Sequence, residues 1–94
     1  MAAIDIDTRV VRSPEPIWAD TGDGLVMLSL AAEKYFGLNE TAEAVWRAMQ
    51  EPVTVRALSD MLMSAYDVDR ERAASAVIAI VGRMIDERIA SAAD

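Results

Sequence analysis

Two pairs of spaced carboxylates, Asp5 with Asp7 and Asp67 with Asp69, come nearest to catalytic chemistry in this chain, because acids two positions apart can share a proton or a magnesium ion. Acid–base work needs an apolar pocket or a like-charge neighbour that drives two pKa values apart. The local pattern puts the first pair in a terminal strand and the second in an exposed turn, so both read as solvated surface. The run Asp20-Thr21-Gly22-Asp23-Gly24 resembles a calcium loop, yet with Gly24 as the invariant glycine the first and twelfth ligands would fall on Ala19 and Leu30. It reads instead as a hairpin turn. Asn39-Glu40-Thr41 fits a glycosylation sequon but is better explained as a helix start. No catalytic residue, no metal and no cofactor is expected.

Composition points the same way. The 94 residues contain neither cysteine nor histidine, which removes the best nucleophile, the commonest general base and the favoured transition-metal ligands. That argues against an enzyme. A formal charge of −7 opposes the phosphate contacts on which nucleic-acid affinity depends. The longest near-apolar run, Leu25 to Ala32, falls short of the roughly 18 to 20 residues a membrane span needs. A soluble, cytoplasmic single domain over residues 1–94 is expected, with an ordered core at about 16–89.

The elements that position any site follow from periodicity and turn chemistry. Ile4, Ile6, Thr8 and Val10 alternate with Asp5, Asp7, Arg9 and Val11, which suits a strand or an ordering N-terminal arm. Ile17-Trp18-Ala19, the Thr21–Gly24 turn and Leu25 to Leu30 predict a hairpin. Leu25 to Leu30 is apolar on both faces except at Ser29, so helices should cover one face and the arm or a neighbour the other. Lys34 to Leu38 makes a short third strand. Asn39, Thr54 and Asp69 are placed to cap three helices, the last running to about residue 88. Trp18, Trp46, Met27 and Met49 read as core.

Two features remain for binding. Tyr35-Phe36-Gly37-Leu38-Asn39 joins the third strand to the first helix, and a short aromatic strand with a bare glycine at a sheet edge can offer unpaired backbone to another chain. Tyr35 and Phe36 must point to opposite faces, and which of them faces the helices is open. Ala73, Ala74, Val77, Ile78, Ile80, Val81, Met84 and Ile85 cover about half of the third helix, more than the ~100° stripe a helix needs for its own core. Such a stripe serves either a central helix or a groove wall. Helices joined by a four-residue turn after a small sheet also match a winged-helix DNA reader. Arg70 and Arg72 stand there among Asp67, Asp69 and Glu71, and Lys34 is the only lysine, which weighs against DNA.

The residues Val26-Met27-Leu28, Tyr35 to Asn39, Ala44-Val45-Trp46, and Val77 with Ile80-Val81 and Met84, in this order, resemble the PqqD-like family of leader-peptide recognition domains. The likeness spans about residues 16 to 89 and is closest to the stand-alone B1 proteins of lasso-peptide biosynthesis. It implies an α+β, winged helix-turn-helix-like fold, with a three-stranded antiparallel sheet followed by three helices. It further implies that a precursor leader peptide adds as a strand beside Lys34, Tyr35, Phe36 and Gly37, against a wall of Val77, Ile78, Val81, Met84 and Ile85. The implied partners are that leader, a cysteine-protease-type maturation enzyme and a cyclase, with a monomeric adaptor able to self-associate through its free edge. Nucleic acid and membrane are not implied. Where the family often has an acidic residue and a helix-ending glycine, this chain has Ala76 and Arg88, the second suggesting a different helix exit. A PqqD proper, serving a radical enzyme of pyrroloquinoline quinone synthesis, and a DNA-binding regulator are the rival expectations. A third is a small interaction module in which the wide helix stripe is entirely internal.

Overall fold

The computed structural model describes residues 4–14, 17–20, 22, 24–29 and 33–93, with backbone alone at 17, 20, 29, 34 and 36. The break at Pro16, the turn residues Thr21 and Asp23 and the link Leu30 to Ala32 lie outside the described residues. Along the chain run β1 (Arg9–Arg12), β2 (Ile17–Asp20), β3 (Leu25–Ser29), β4 (Lys34–Leu38), α1 (Glu40–Ala48), β5 (Val53–Thr54), α2 (Val55–Ala65), α3 (Arg70–Asp86) and β6 (Ala90–Ala92). The fold is α+β, with the expected antiparallel meander β2-β3-β4 followed by three helices. Gly22 and Gly24 supply positive φ, 87° and 150°, in the hairpin turn.

All three helices start where turn chemistry predicts. Asn39 Oδ1 accepts from the Ala42 N–H at 2.9 Å, Thr54 Oγ1 from Ala57 at 3.1 Å and Asp69 Oδ1 from Arg72 at 2.8 Å. Their apolar faces meet in one core with the sheet, enclosing Leu25 and Met27 from β3, Val45, Trp46 and Met49 from the α1 region, Leu58 and Leu62 from α2, and Val77, Val81 and Met84 from α3.

A second small sheet, β5-β1-β6, departs from the expected single one. Val10 pairs with Val53 on one side and Ala92 on the other, and is fully buried. The ordered core therefore extends beyond 16–89 at both ends. The alternation from Ile4 to Val11 becomes strand only at Arg9. Before that, Asp5 Oδ1 accepts the backbone N–H of Asp7 and of Thr8, at 2.9 and 3.1 Å, and so folds residues 5–8 into a turn. That turn caps α2: the Val55 and Arg56 N–H groups, left without partners inside their helix, donate to the Thr8 and Ile6 carbonyls at 3.0 and 2.9 Å.

The exit of α3 also differs from expectation. Arg88 adopts φ 64°, its N–H donates to the Ile85 carbonyl, and the Ile89 N–H donates to Met84. These two bonds form a Schellman motif, with buried Ile89 packed into the core behind it. Arg88 thus takes the left-handed turn that glycine favours. A left-handed non-glycine residue costs roughly 1 kcal/mol. Arg88→Gly should therefore raise stability by about 0.5–1 kcal/mol, part of the gain being offset by the freer unfolded chain. Urea unfolding with an unchanged m-value checks it, and a destabilised variant would show that the arginine side chain contributes more than its backbone costs.

Candidate functional site

Strand β4 is the edge of its sheet. It pairs with β3 from Leu25↔Leu38 through Ser29↔Lys34, and no strand among the described residues pairs with its other side. In an antiparallel edge strand every second residue turns its N–H and C=O outward. Five residues of β4 therefore leave a short ladder ready for another extended chain.

Beside this edge a groove opens between the end of β4, the start of α1 and the last turns of α3. Gly37, Leu38, Asn39, Ala42, Ile80, Arg83, Met84, Glu87 and Ile89 line it, around a space of about 240 Å³. That is below the ~300 Å³ at which small-molecule pockets begin. Its size and its apolar floor suit one or two apolar side chains of a peptide, with a polar one accommodated at the exposed rim. Among the described residues no cluster of acidic side chains could hold a metal ion. No helix among the described residues is long and apolar enough to cross a membrane.

The expected site residues divide. Gly37 and Met84 border the groove, and Lys34 and Phe36 lie in β4 opposite Ser29 and Met27, their side chains outside the described residues. Tyr35 is 76% exposed and, by strand alternation, shares the outer face of the sheet with Val26, which is 38% exposed. The cover expected on that face is absent among the described residues. Val77 and Val81 are fully buried, so they hold α3 against the core and present nothing to a ligand. Ile78 and Ile85 are half-buried but lie about 160° and 140° around α3 from Ile80, on the flank turned away from the groove.

Ile80, Arg83 and Glu87 complete the groove wall and were not among the expected site residues. Their signal was available as the spacing 80, 83, 84, 87, a helical stripe displaced from the Val77–Val81 one by a fraction of a turn. The most apolar stripe is the one the core consumes.

One helical turn along α1 from Ala42, two tryptophans and two arginines stack around Trp46. The rings of Trp18 and Trp46 meet edge to face at 5.5 Å and 71°, Arg12 lies 4.3 Å from the Trp46 ring centre and Arg47 lies 5.3 Å from that of Trp18. Trp46 is core as expected, whereas Trp18 is 42% exposed because it sits on the outer strand β2. At the start of α3, where a DNA reader would grip phosphate, Arg70 is already paired with Asp60 at 2.8 Å. Asp5 and Asp7 have surface roles: the first closes its turn, and the second pairs with Arg56 at 3.0 Å.

The sequence profile of one family, described as coenzyme PQQ synthesis protein D (PqqD), matches residues 24–90. Among solved structures, a lasso peptide synthetase B1 complexed with the leader peptide is similar at 26% identity and TM-score 0.77, covering 87% of this chain and 96% of that one. TbiB1 in complex with the TbiA(beta) leader peptide is similar at 21% identity and TM-score 0.77, over 86% and 94% of the two chains. The solution structure of the PqqD truncation of Methylobacterium extorquens PqqCD, described as a RiPP recognition element, is similar at 18% identity and TM-score 0.76, over 95% of each. A search of curated protein sequences gives no match.

Proposed function

Because the chain belongs to the PqqD family, we propose that it binds the leader segment of a ribosomally synthesised precursor peptide by β-strand addition to β4, and presents it to a maturation enzyme. The observation that carries this reading is the free edge of β4 beside an apolar groove on α3. Backbone pairing supplies affinity and the groove supplies choice of side chain. The likeness to a B1 protein complexed with a leader peptide supports the lasso-peptide setting, and the recipient in this reading is a cysteine-protease-type enzyme. The chain itself makes and breaks no bond. It acts in the cytoplasm by raising the local concentration of precursor at its partner.

Titrating the purified chain with the leader of a precursor encoded beside it should give a Kd of about 1 μM or tighter, on the order of 8 kcal/mol. An absence of binding to both the leader and the maturation enzyme would overturn the reading. The family profile also favours a second reading with the same chemistry, a PqqD proper that hands its peptide to a radical enzyme. Neighbouring genes separate the two: a protease and an asparagine-synthetase-like cyclase in one case, pyrroloquinoline quinone enzymes in the other.

A further inference from the structure

We propose that Arg83 makes the groove selective for a peptide carrying a carboxylate, set where a chain paired with β4 passes between Leu38 and the last turns of α3. This rests on the peptide-binding reading above.

Arg83 is exposed, stands on the groove wall between Ile80 and Met84, and enters no ion pair with another described residue. Three other arginines are held in ion pairs: Arg47 with Glu43 at 3.0 Å, Arg56 with Asp7 at 3.0 Å and Arg70 with Asp60 at 2.8 Å. Glu87, the acidic residue of the same lining, already has a partner within the molecule. At a formal charge of −7 the chain as a whole repels an acidic ligand, so this cation is a local reversal of the general field.

A guanidinium fork accepts a carboxylate through two parallel hydrogen bonds. Against the apolar walls of Ile80 and Met84 the pair is screened less than on open surface. Side chains of an extended peptide alternate, so a carboxylate directed at Arg83 brings the residues two positions before and after it to the same side. Those neighbours meet Leu38, Ala42 and Ile89, which asks them to be apolar. The selected motif is thus apolar-x-acidic-x-apolar, read on one face of a strand.

A phage-displayed library of random dodecapeptides, selected against the purified chain, tests this. The expected consensus has one fixed acidic position flanked at two residues on either side by apolar ones. Affinity for the consensus peptide should fall about 10-fold in Arg83→Gln, and equally when the peptide carboxylate is replaced by its amide on the wild-type chain. It should also weaken as salt rises. Selection against Arg83→Glu should move that position to a basic residue, with far-UV dichroism and melting unchanged in both variants. Enriched peptides without an acidic position, or a consensus insensitive to Arg83→Gln and to the amide, would overturn the role of Arg83 and leave strand addition standing. No enriched peptide at all would overturn peptide binding itself.

Discussion

Proline at Gly37 is expected to abolish leader binding while the domain remains folded, a loss of at least about 100-fold. Gly37 is the fourth of the five residues of β4, opposite Val26, and a Cβ built there meets nothing within 4 Å. Neither crowding nor a positive φ demands glycine, although a glycine inside a strand costs about 0.5–1 kcal/mol relative to alanine. Proline fixes φ, removes the N–H and sets its ring against the path of an added strand. Losing about three backbone hydrogen bonds at about 1 kcal/mol each gives the stated factor. Gly37→Ala is the control, since it keeps the N–H and should fold at least as well as wild type. Should the proline variant not fold, methylating the leader backbone one amide at a time asks the same question, because paired and unpaired N–H groups alternate along a strand. Losses with a period of two are expected. Wild-type affinity in a folded Gly37→Pro protein, or a flat methylation profile, would exclude this edge.

Most of what could be read from the residues was local, and most of what could not was non-local. Asn39, Thr54 and Asp69 act within three residues of themselves, so their capping was visible without knowing the fold. The β2-β3-β4 meander was visible for the same reason, only four residues separating each strand from the next. The second sheet was hidden because β5 and β6 are two and three residues long and find β1 from distant parts of the chain. The Asp5–Thr8 segment misled through its alternation: two polar side chains able to bond their own backbone outweighed the strand pattern, and the turn they made went on to cap α2. On α3 the periodicity revealed a wide apolar arc but not its orientation. Val77 and Val81 went inward, and a partly polar stripe through Ile80 and Arg83 was left beside the edge. A groove that takes a peptide must stay wettable when empty, so hydrophobicity alone ranks its wall below the core.

Trp46 separates stability from binding, since it is among the largest core side chains and stands outside the groove lining. Trp46→Ala should cost about 3–5 kcal/mol, the usual range for an enclosed aromatic cut to a methyl, against a total stability on the order of 5–15 kcal/mol. The loss has three parts: the ring's packing, the edge-to-face contact with Trp18 at 5.5 Å, and the Arg12 guanidinium held 4.3 Å from its centre. The indole N–H adds nothing, because Nε1 is buried with no hydrogen-bond partner among the described residues. Trp46→Phe should therefore cost only about 1–2 kcal/mol, the volume term remaining while an unsatisfied donor is removed. Both variants, studied where they are folded, should bind a leader with wild-type affinity, because Trp46 is not one of the residues that line the groove. Denaturant unfolding gives the two stabilities and titration of the same samples gives the affinities. A phenylalanine variant as unstable as the alanine one would mean that Nε1 has an acceptor after all, and weakened binding in either folded variant would couple the tryptophan stack to the peptide edge.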